Sequence, residues 1–228
     1  MKNSERITYG LVLTTLIFLT ATFGGSKIHL GIGFIPGFVV TLTIELLLSA
    51  AAIYFLRNYF SYSISVPGFK TLIKPFMYGI ILTVLVNLLI SGAIKIMGGN
   101  LEEHPTLSKM NVLQVLIFIF IYASIAEEIL FRGFLMNLLK PLEVNGITFF
   151  KRKISFPVIV SALAFGAAHL VLISTGVSIF FLFRIVVFTI CLGLLAGYYQ
   201  EKYNNNFYAI IVHMAGNTLA VIGALSVS

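Results

Sequence analysis

The sequence has no aspartate, and its 228 residues include only eight acidic side chains, all of them glutamates. Charged residues make up 10% of the chain, whereas soluble domains carry roughly a quarter. Hydrophobic residues make up 59%, and the mean hydropathy is +1.02. This scarcity of charge excludes an ordinary soluble domain and indicates a polytopic membrane protein surrounded by a lipid bilayer.

Cysteine is almost absent as well. The single Cys191 lies within an apolar run, which excludes an intramolecular disulfide and a cysteine-based zinc site. The net charge of +7 comes from basic residues that are spread between the apolar runs. This distribution is typical of membrane topology, so we expect no nucleic-acid partner.

Seven apolar runs approach the roughly 20 residues that a bilayer-spanning helix needs. They predict an all-α polytopic transmembrane bundle of 7–8 helices that forms a single membrane domain over residues 1–228. The aromatic and basic segment "RNYFSYSISVPGFK", between the second and third runs, is expected at the interface or hides an eighth helix. The predicted spans are 8–23, 34–56, 76–97, 112–139, 154–173, 178–199 and 207–225.

Lysine and arginine predict how the bundle is oriented. With the N-terminus in the cytosol, three basic residues face the other side, namely Lys27, Lys95 and Lys109, together with the acidic "NLEEHP" loop. This asymmetry follows the positive-inside rule and predicts a cytosolic N-terminus. The ten residues on the cytosolic side are Lys2, Arg6, Arg57, Lys70, Lys74, Lys140, Lys151, Arg152, Lys153 and Lys202.

A few polar side chains fall inside the predicted spans, where they are expected to face the bundle interior or a water-filled cavity. Two of them, Glu45 and Arg184, stand alone in their helices and are expected to pair with a neighbour or with each other. The others form patterned groups in three helices: Glu127, Glu128 and Arg132, then His169, then His213 and Asn217.

Helical spacing groups these residues further. Glu128 and Arg132 lie four residues apart and can form an ion pair, whereas Glu127 points about 100° away and needs another partner. Phe165 shares a helix face with His169, and "HMAGN" places His213 and Asn217 on one face. Counted along the helices from their predicted cytosolic ends, Glu127 and His169 lie roughly 18 Å deep, Asn217 roughly 15 Å and His213 roughly 9 Å. We therefore expect them to meet in one cavity that is reached from the cytosol.

The chemistry of this set has several interpretations. Glu127 and His169 can hold and deprotonate a water, while His213 and Asn217 stabilise the oxyanion that forms at an amide carbonyl. Two histidines and a glutamate, here Glu127, His169 and His213, also form a catalytic zinc ligand set. A proton relay in a transporter and a polar core that only fixes helix register are the alternatives without hydrolysis.

The three motifs together resemble the CAAX protease and bacteriocin-processing (CPBP, or Abi) family of intramembrane proteases, which includes the type II CAAX prenyl endopeptidase. The resemblance covers about residues 112–220. It implies an intramembrane endopeptidase in which Glu127 activates water with help from His169. By the same resemblance, His213 and Asn217 hold the oxyanion, and Glu128, Arg132 and Phe165 support them. Zinc is the alternative to a mechanism without a cofactor.

The resemblance also implies the setting. We expect a peptide or membrane-protein substrate and a multi-pass protein of a bacterial plasma membrane. The alternative without catalysis is a bacteriocin self-immunity protein that binds a membrane partner.

Overall fold

The computed structural model describes residues 1–102, 104–149 and 152–227. Within these ranges, seven helices are long and apolar enough to cross a membrane. The predicted all-α polytopic bundle is therefore confirmed. The helices are α1 (Asn3–Gly25), α2 (Phe38–Phe55), α3 (Phe69–Ile96), α4 (Val112–Met136), α5 (Phe156–Thr175), α6 (Ile179–Tyr203), and the last span, divided into α7 (Asn206–Gly216) and α8 (Thr218–Val227).

The "RNYFSYSISVPGFK" segment contains no eighth helix. It forms a single 3₁₀ turn at Arg57–Tyr59 and continues without helix until α3 begins at Phe69. The sequence predicted a later start for α3, at residue 76, because Lys70, Lys74 and Pro75 interrupt the apolar pattern of its first turns. The other observed boundaries differ from the predicted ones by a few residues.

The only strands in the described ranges are β1 (Gly146–Phe149) and β2 (Arg152–Ser155), which pair antiparallel in a short hairpin. Hydrogen bonds between connecting segments show which segments meet at each end of the bundle. Arg6 donates to the Tyr59 carbonyl, and at the other end Gln114 donates to the Phe34 carbonyl. We call them the hairpin end (residues 1–2, 56–68, 137–149, 152–155 and 204–205) and the distal end (residues 26–37, 97–102, 104–111 and 176–178).

Helix α4 occupies the centre of the bundle. It packs against α1, α2, α5, α6, α7 and α8, and every residue of its second half, Ile129–Met136, is buried. Two π-helical segments, Val115–Ala123 and Ile129–Met136, flank one α-helical turn, Ser124–Glu128. Such π-helical segments are rare and occur often at functional sites. The glutamate pair therefore lies in a central helix, between two π-helical segments.

Close packing of α3 on α7 gives a first prediction. A Cβ at Gly79 would lie 2.6 Å from the Ala215 Cβ and 3.1 Å from the Val212 carbonyl oxygen. Gly79→Ala should therefore lower the free energy of unfolding in detergent by about 1–3 kcal/mol, because the helices must separate. The matched control is Gly92→Ala in the same helix, where a Cβ would meet nothing within 4 Å. Equal unfolding midpoints for the two variants would contradict this packing.

Candidate active site

Glu128 and Arg132 form the ion pair that their spacing predicts. Arg132 Nη1 donates to Glu128 Oε1 at 2.9 Å, and both side chains are 0% exposed. Gly193 on α6 makes room for the guanidinium, because a Cβ there would lie 2.5 Å from Arg132 Nη2. The aromatic ring of Phe165 lies 4.7 Å from the guanidinium carbon and covers it. The ion pair is thus fully buried, and neither of its residues lines the cavities described below.

His213 lies between the two glutamates. Its Nδ1 is 2.9 Å from Glu128 Oε1, the same oxygen that Arg132 binds, and its Nε2 is 3.9 Å from Glu127 Oε2. A separation of 3.9 Å is too long for a direct hydrogen bond, but a single water can bond to both atoms. The sequence predicted His213 for the oxyanion; the structure places it closest to the carboxylates.

Glu127 differs from its neighbour in its surroundings. Its side chain is 21% exposed, and among the described residues it makes no hydrogen bond. It lines two cavities, one of about 350 Å³ and one of about 520 Å³. Glu127 is therefore the carboxylate of the pair that can meet a water or a substrate.

His169 lines the same two cavities as Glu127. Its Nδ1 lies 2.9 Å from the Phe165 carbonyl oxygen. The His169 and Phe165 rings are nearly perpendicular, with their centroids 5.0 Å apart. No hydrogen bond joins His169 to Glu127 in the described part of the chain. The two residues therefore share both cavity linings without bonding to each other.

Asn217 lies at the junction between α7 and α8, so the last span is not one continuous helix. Both hydrogens of its amide are used: Nδ2 donates to the Ile119 carbonyl and to Ser124 Oγ, each at 3.1 Å. The predicted oxyanion role would require this amide to turn. In the structure, Asn217 lines the smaller cavity and secures the first π-helical segment of α4.

Other amide side chains, which the sequence did not single out, also bond to carbonyls of α4. Gln200 donates to the Arg132 carbonyl at 2.8 Å, and Asn137 donates to the same oxygen at 2.9 Å. Asn206 donates to the Glu128 carbonyl at 3.3 Å. Because these partners come from α6, α7 and the end of α4, only the tertiary fold reveals them.

One interpretation of the sequence was that Glu45 and Arg184 form an ion pair with each other. In the structure they do not. Arg184 Nη2 donates to the Glu102 carbonyl at 2.5 Å and lines the smaller cavity. Glu45 is buried, lines the larger cavity and has no hydrogen-bond partner for Oε1. That interpretation is wrong because the two residues lie on different sides of Glu127.

The cavities also correct the expected access. The loop residues that line the larger cavity include Ser26, Gly37 and Thr106. Those that line the smaller cavity include His104 and Leu107. All of these lie at the distal end, opposite the basic hairpin end. The prediction of a cavity reached from the basic, cytosolic end is therefore wrong for both cavities, since the buried residues of α4 close that end.

The zinc alternative depends on whether three donor atoms lie close together. Among the described residues, no group of three histidine, cysteine or acidic side chains is placed to hold a metal ion. His213 Nδ1 is bonded to Glu128 and His169 Nδ1 to the Phe165 carbonyl, which leaves Nε2 of each ring available. The predicted set of Glu127, His169 and His213 is thus not brought together as a ligand set in this structure, and zinc stays an alternative prediction.

Comparison with known families identifies the part of the chain that contains these residues. The model of the family described as type II CAAX prenyl endopeptidase Rce1-like matches residues 109–219. This part of the chain is Rce1-like. The Rce1-like region contains every predicted site residue from Glu127 to Asn217, whereas Glu45 and His104 lie outside it. The match confirms the resemblance and supports an intramembrane CAAX-type endopeptidase. No curated protein and no solved structure matches the chain.

Proposed function

We propose that the protein hydrolyses a peptide bond of a membrane-associated peptide or protein with a water that Glu127 activates. One observation carries this proposal: of two adjacent glutamates, Glu128 is sealed in an ion pair while Glu127 faces two cavities without a hydrogen bond. A carboxylate that only stabilised the fold would be paired like Glu128, because an unpaired polar group is costly within a membrane protein.

The reaction follows from the atoms around Glu127. Glu127 takes a proton from the water as the water oxygen bonds to the carbonyl carbon, and the carbonyl oxygen becomes negative. The C–N bond then breaks, and the leaving amine takes the proton from Glu127. His169 helps to hold the water. The Glu128–Arg132 pair fixes His213 through Nδ1, so that its Nε2 stays beside Glu127.

The two cavities suit a substrate that continues on both sides of the cleaved bond. They share a wall that includes Glu127, His169 and Phe165, and they extend in different directions from it. An extended peptide can lie across this wall with its scissile bond at Glu127. We therefore propose an endopeptidase, with the catalytic core of residues 112–220 and the larger cavity formed in part by α1 and α2.

We also propose the topology that the basic residues predict, with the N-terminus and the hairpin end in the cytosol of a bacterium and the cavities opening at the distal end. A cysteine introduced at Lys27 in a Cys191→Ser background would react with a membrane-impermeant reagent from outside intact cells. Labelling only after the cells are opened would contradict this orientation.

The function is tested by incubating the detergent-purified protein with quenched peptides, both a farnesylated set ending in Cys-aliphatic-aliphatic-X and an unprenylated library. Cleavage of either set supports the proposal, and the cut position defines the sequence preference. A folded wild-type protein that cuts neither set would contradict it and would favour a binding role such as bacteriocin immunity.

Removal of metal ions provides a separate prediction. Treatment with a strong zinc chelator followed by dialysis should leave the cleavage rate unchanged, because the donor atoms of Glu127, His169 and His213 do not converge. The rate before and after treatment is compared with that of a known zinc protease treated in parallel. Loss of cleavage that added zinc restores would contradict a water activated by Glu127 alone.

A further inference from the structure

His104 is a histidine of the distal loop that lies outside the Rce1-like region. It lines both cavities, together with Glu127 and His169. Of the four histidines in the chain, three therefore line the site, and only His29, exposed in the 26–37 segment, does not. His104 therefore lines the same two spaces in which a substrate would meet Glu127.

Hydrogen bonding fixes which nitrogen of His104 carries its proton. The Thr106 backbone N–H donates to His104 Nδ1 at 3.2 Å, so Nδ1 is an acceptor without a hydrogen. Burial and the nearby Arg184 cation lower the pKa of His104, which keeps the ring neutral at neutral pH. A neutral imidazole has one N–H, and here it must be on Nε2. His104 therefore offers a hydrogen-bond donor.

The other two histidines of the site have the opposite arrangement. His169 Nδ1 faces the Phe165 carbonyl, which can only accept, so Nδ1 carries the proton and Nε2 lacks one in the neutral ring. His213 Nδ1 likewise faces the Glu128 carboxylate. Since both amide hydrogens of Asn217 are also in use, neither the neutral ring of His169 nor the amide of Asn217 offers a free donor to the cavities.

The loop that carries His104 is attached to the start of α6 and braced by a bond of its own. Arg184 Nη2 donates to the Glu102 carbonyl, and the Ser178 backbone N–H donates to Glu102 Oε2 at 3.3 Å. The Leu107 N–H donates to the His104 carbonyl at 2.9 Å. The His104 ring also packs against the ring of Phe181, with the two ring centroids 5.6 Å apart. Such fixed surroundings suit a group that must be aimed before the reaction begins.

We propose that His104 is a further catalytic residue, whose Nε2–H donates to the carbonyl oxygen of the scissile peptide bond and stabilises its negative charge when water attacks. The inference rests on the proposed peptide hydrolysis. No proton is transferred from His104 in this step: the water proton goes to Glu127 and then to the leaving amine, while the His104 hydrogen bond shortens and strengthens.

The kinetic test compares His104→Phe, His104→Gln and the control His29→Phe on a quenched peptide that the wild type cuts. Loss of one oxyanion donor lowers kcat by about 10²–10³-fold, with KM little changed, since the bond matters chiefly in the transition state. Glutamine keeps an N–H at a similar distance from the backbone and should restore a large part of kcat. Equal kcat in the Phe and Gln variants, or a loss confined to KM, would overturn the proposal.

A second measurement separates this inference from the proposed function. Nitrogen NMR of the protein labelled with ¹⁵N-histidine, assigned with the His104→Gln variant, reports the tautomer without any substrate. A proton on Nε2 of His104 is expected, and a proton on Nδ1 would overturn the donor role even if Glu127-dependent cleavage is observed. Failure of the proposed function would instead appear as a folded wild type that cuts no peptide.

Discussion

Glu127→Gln should abolish peptide cleavage, with a fall in kcat of about 10²–10⁴-fold, while the protein remains folded. Glutamine has nearly the same shape but cannot accept a proton from water. The side chain is partly exposed to the cavities and makes no hydrogen bond among the described residues, so its replacement removes no packing. Initial rates on the quenched peptide and the unfolding midpoint in detergent measure the two effects.

Two other glutamates serve as controls for this experiment. Glu143→Gln, on the exposed hairpin-end loop, should match the wild type in both rate and midpoint. Glu128→Gln should lower the midpoint, because it weakens the bonds to Arg132 and His213. Wild-type activity in Glu127→Gln would show that this carboxylate is not the base, and a lowered midpoint would show that it supports the fold.

Arg132→Leu should lower the free energy of unfolding by about 3–5 kcal/mol, the usual cost when one partner of a buried ion pair is removed. Glu128 is 0% exposed and would be left with His213 as its remaining side-chain partner among the described residues. The guanidinium also fills the space beside Gly193 and below Phe165, which leucine does not reproduce. Unfolding in detergent measures the loss, and cleavage should fall with it because His213 is no longer fixed.

The double variant Glu128→Gln with Arg132→Leu separates charge from packing. Glutamine removes the unpaired charge and retains an oxygen for His213 Nδ1, so the double variant should be more stable than Arg132→Leu alone. The coupling free energy is the effect of the double variant minus the sum of the effects of Glu128→Gln and Arg132→Leu alone, and for two contacting residues it is expected to differ from zero. If the two single changes simply add, the ion pair contributes nothing beyond its packing.

The sequence predicted the local part of the site and missed the part that depends on tertiary structure. The spacing of Glu128 and Arg132 on one helix was enough to predict their ion pair. The sequence analysis placed His169 with Glu127, but spacing alone could not determine which histidine approaches the glutamates, because helices from distant parts of the chain can be rotated in many ways. The structure places His213 there, and it breaks the last span at Asn217.

The end of the bundle from which the site is reached could not be predicted from the sequence either, because it also depends on tertiary packing. Charge distribution separates the two ends of the bundle but does not show which end is filled by side chains. Eight consecutive buried residues of α4, Ile129–Met136, close the hairpin end, and the cavities extend to the other. The sequence analysis did not single out His104, because a residue in a loop has no helical periodicity from which the direction of its side chain could be predicted.

The two π-helical segments of α4 have a consequence for how this enzyme can evolve. A π turn closes its hydrogen bond over five residues instead of four, so each segment holds a surplus residue. Losing one residue from Val115–Ala123 would let that segment close as ordinary α-helix, with little rotation of the glutamates that follow it. An inserted residue could not be absorbed in this way, so it would rotate Glu127 by about 100° around the helix axis. Length changes in this helix should therefore be tolerated in relatives as deletions far more often than as insertions.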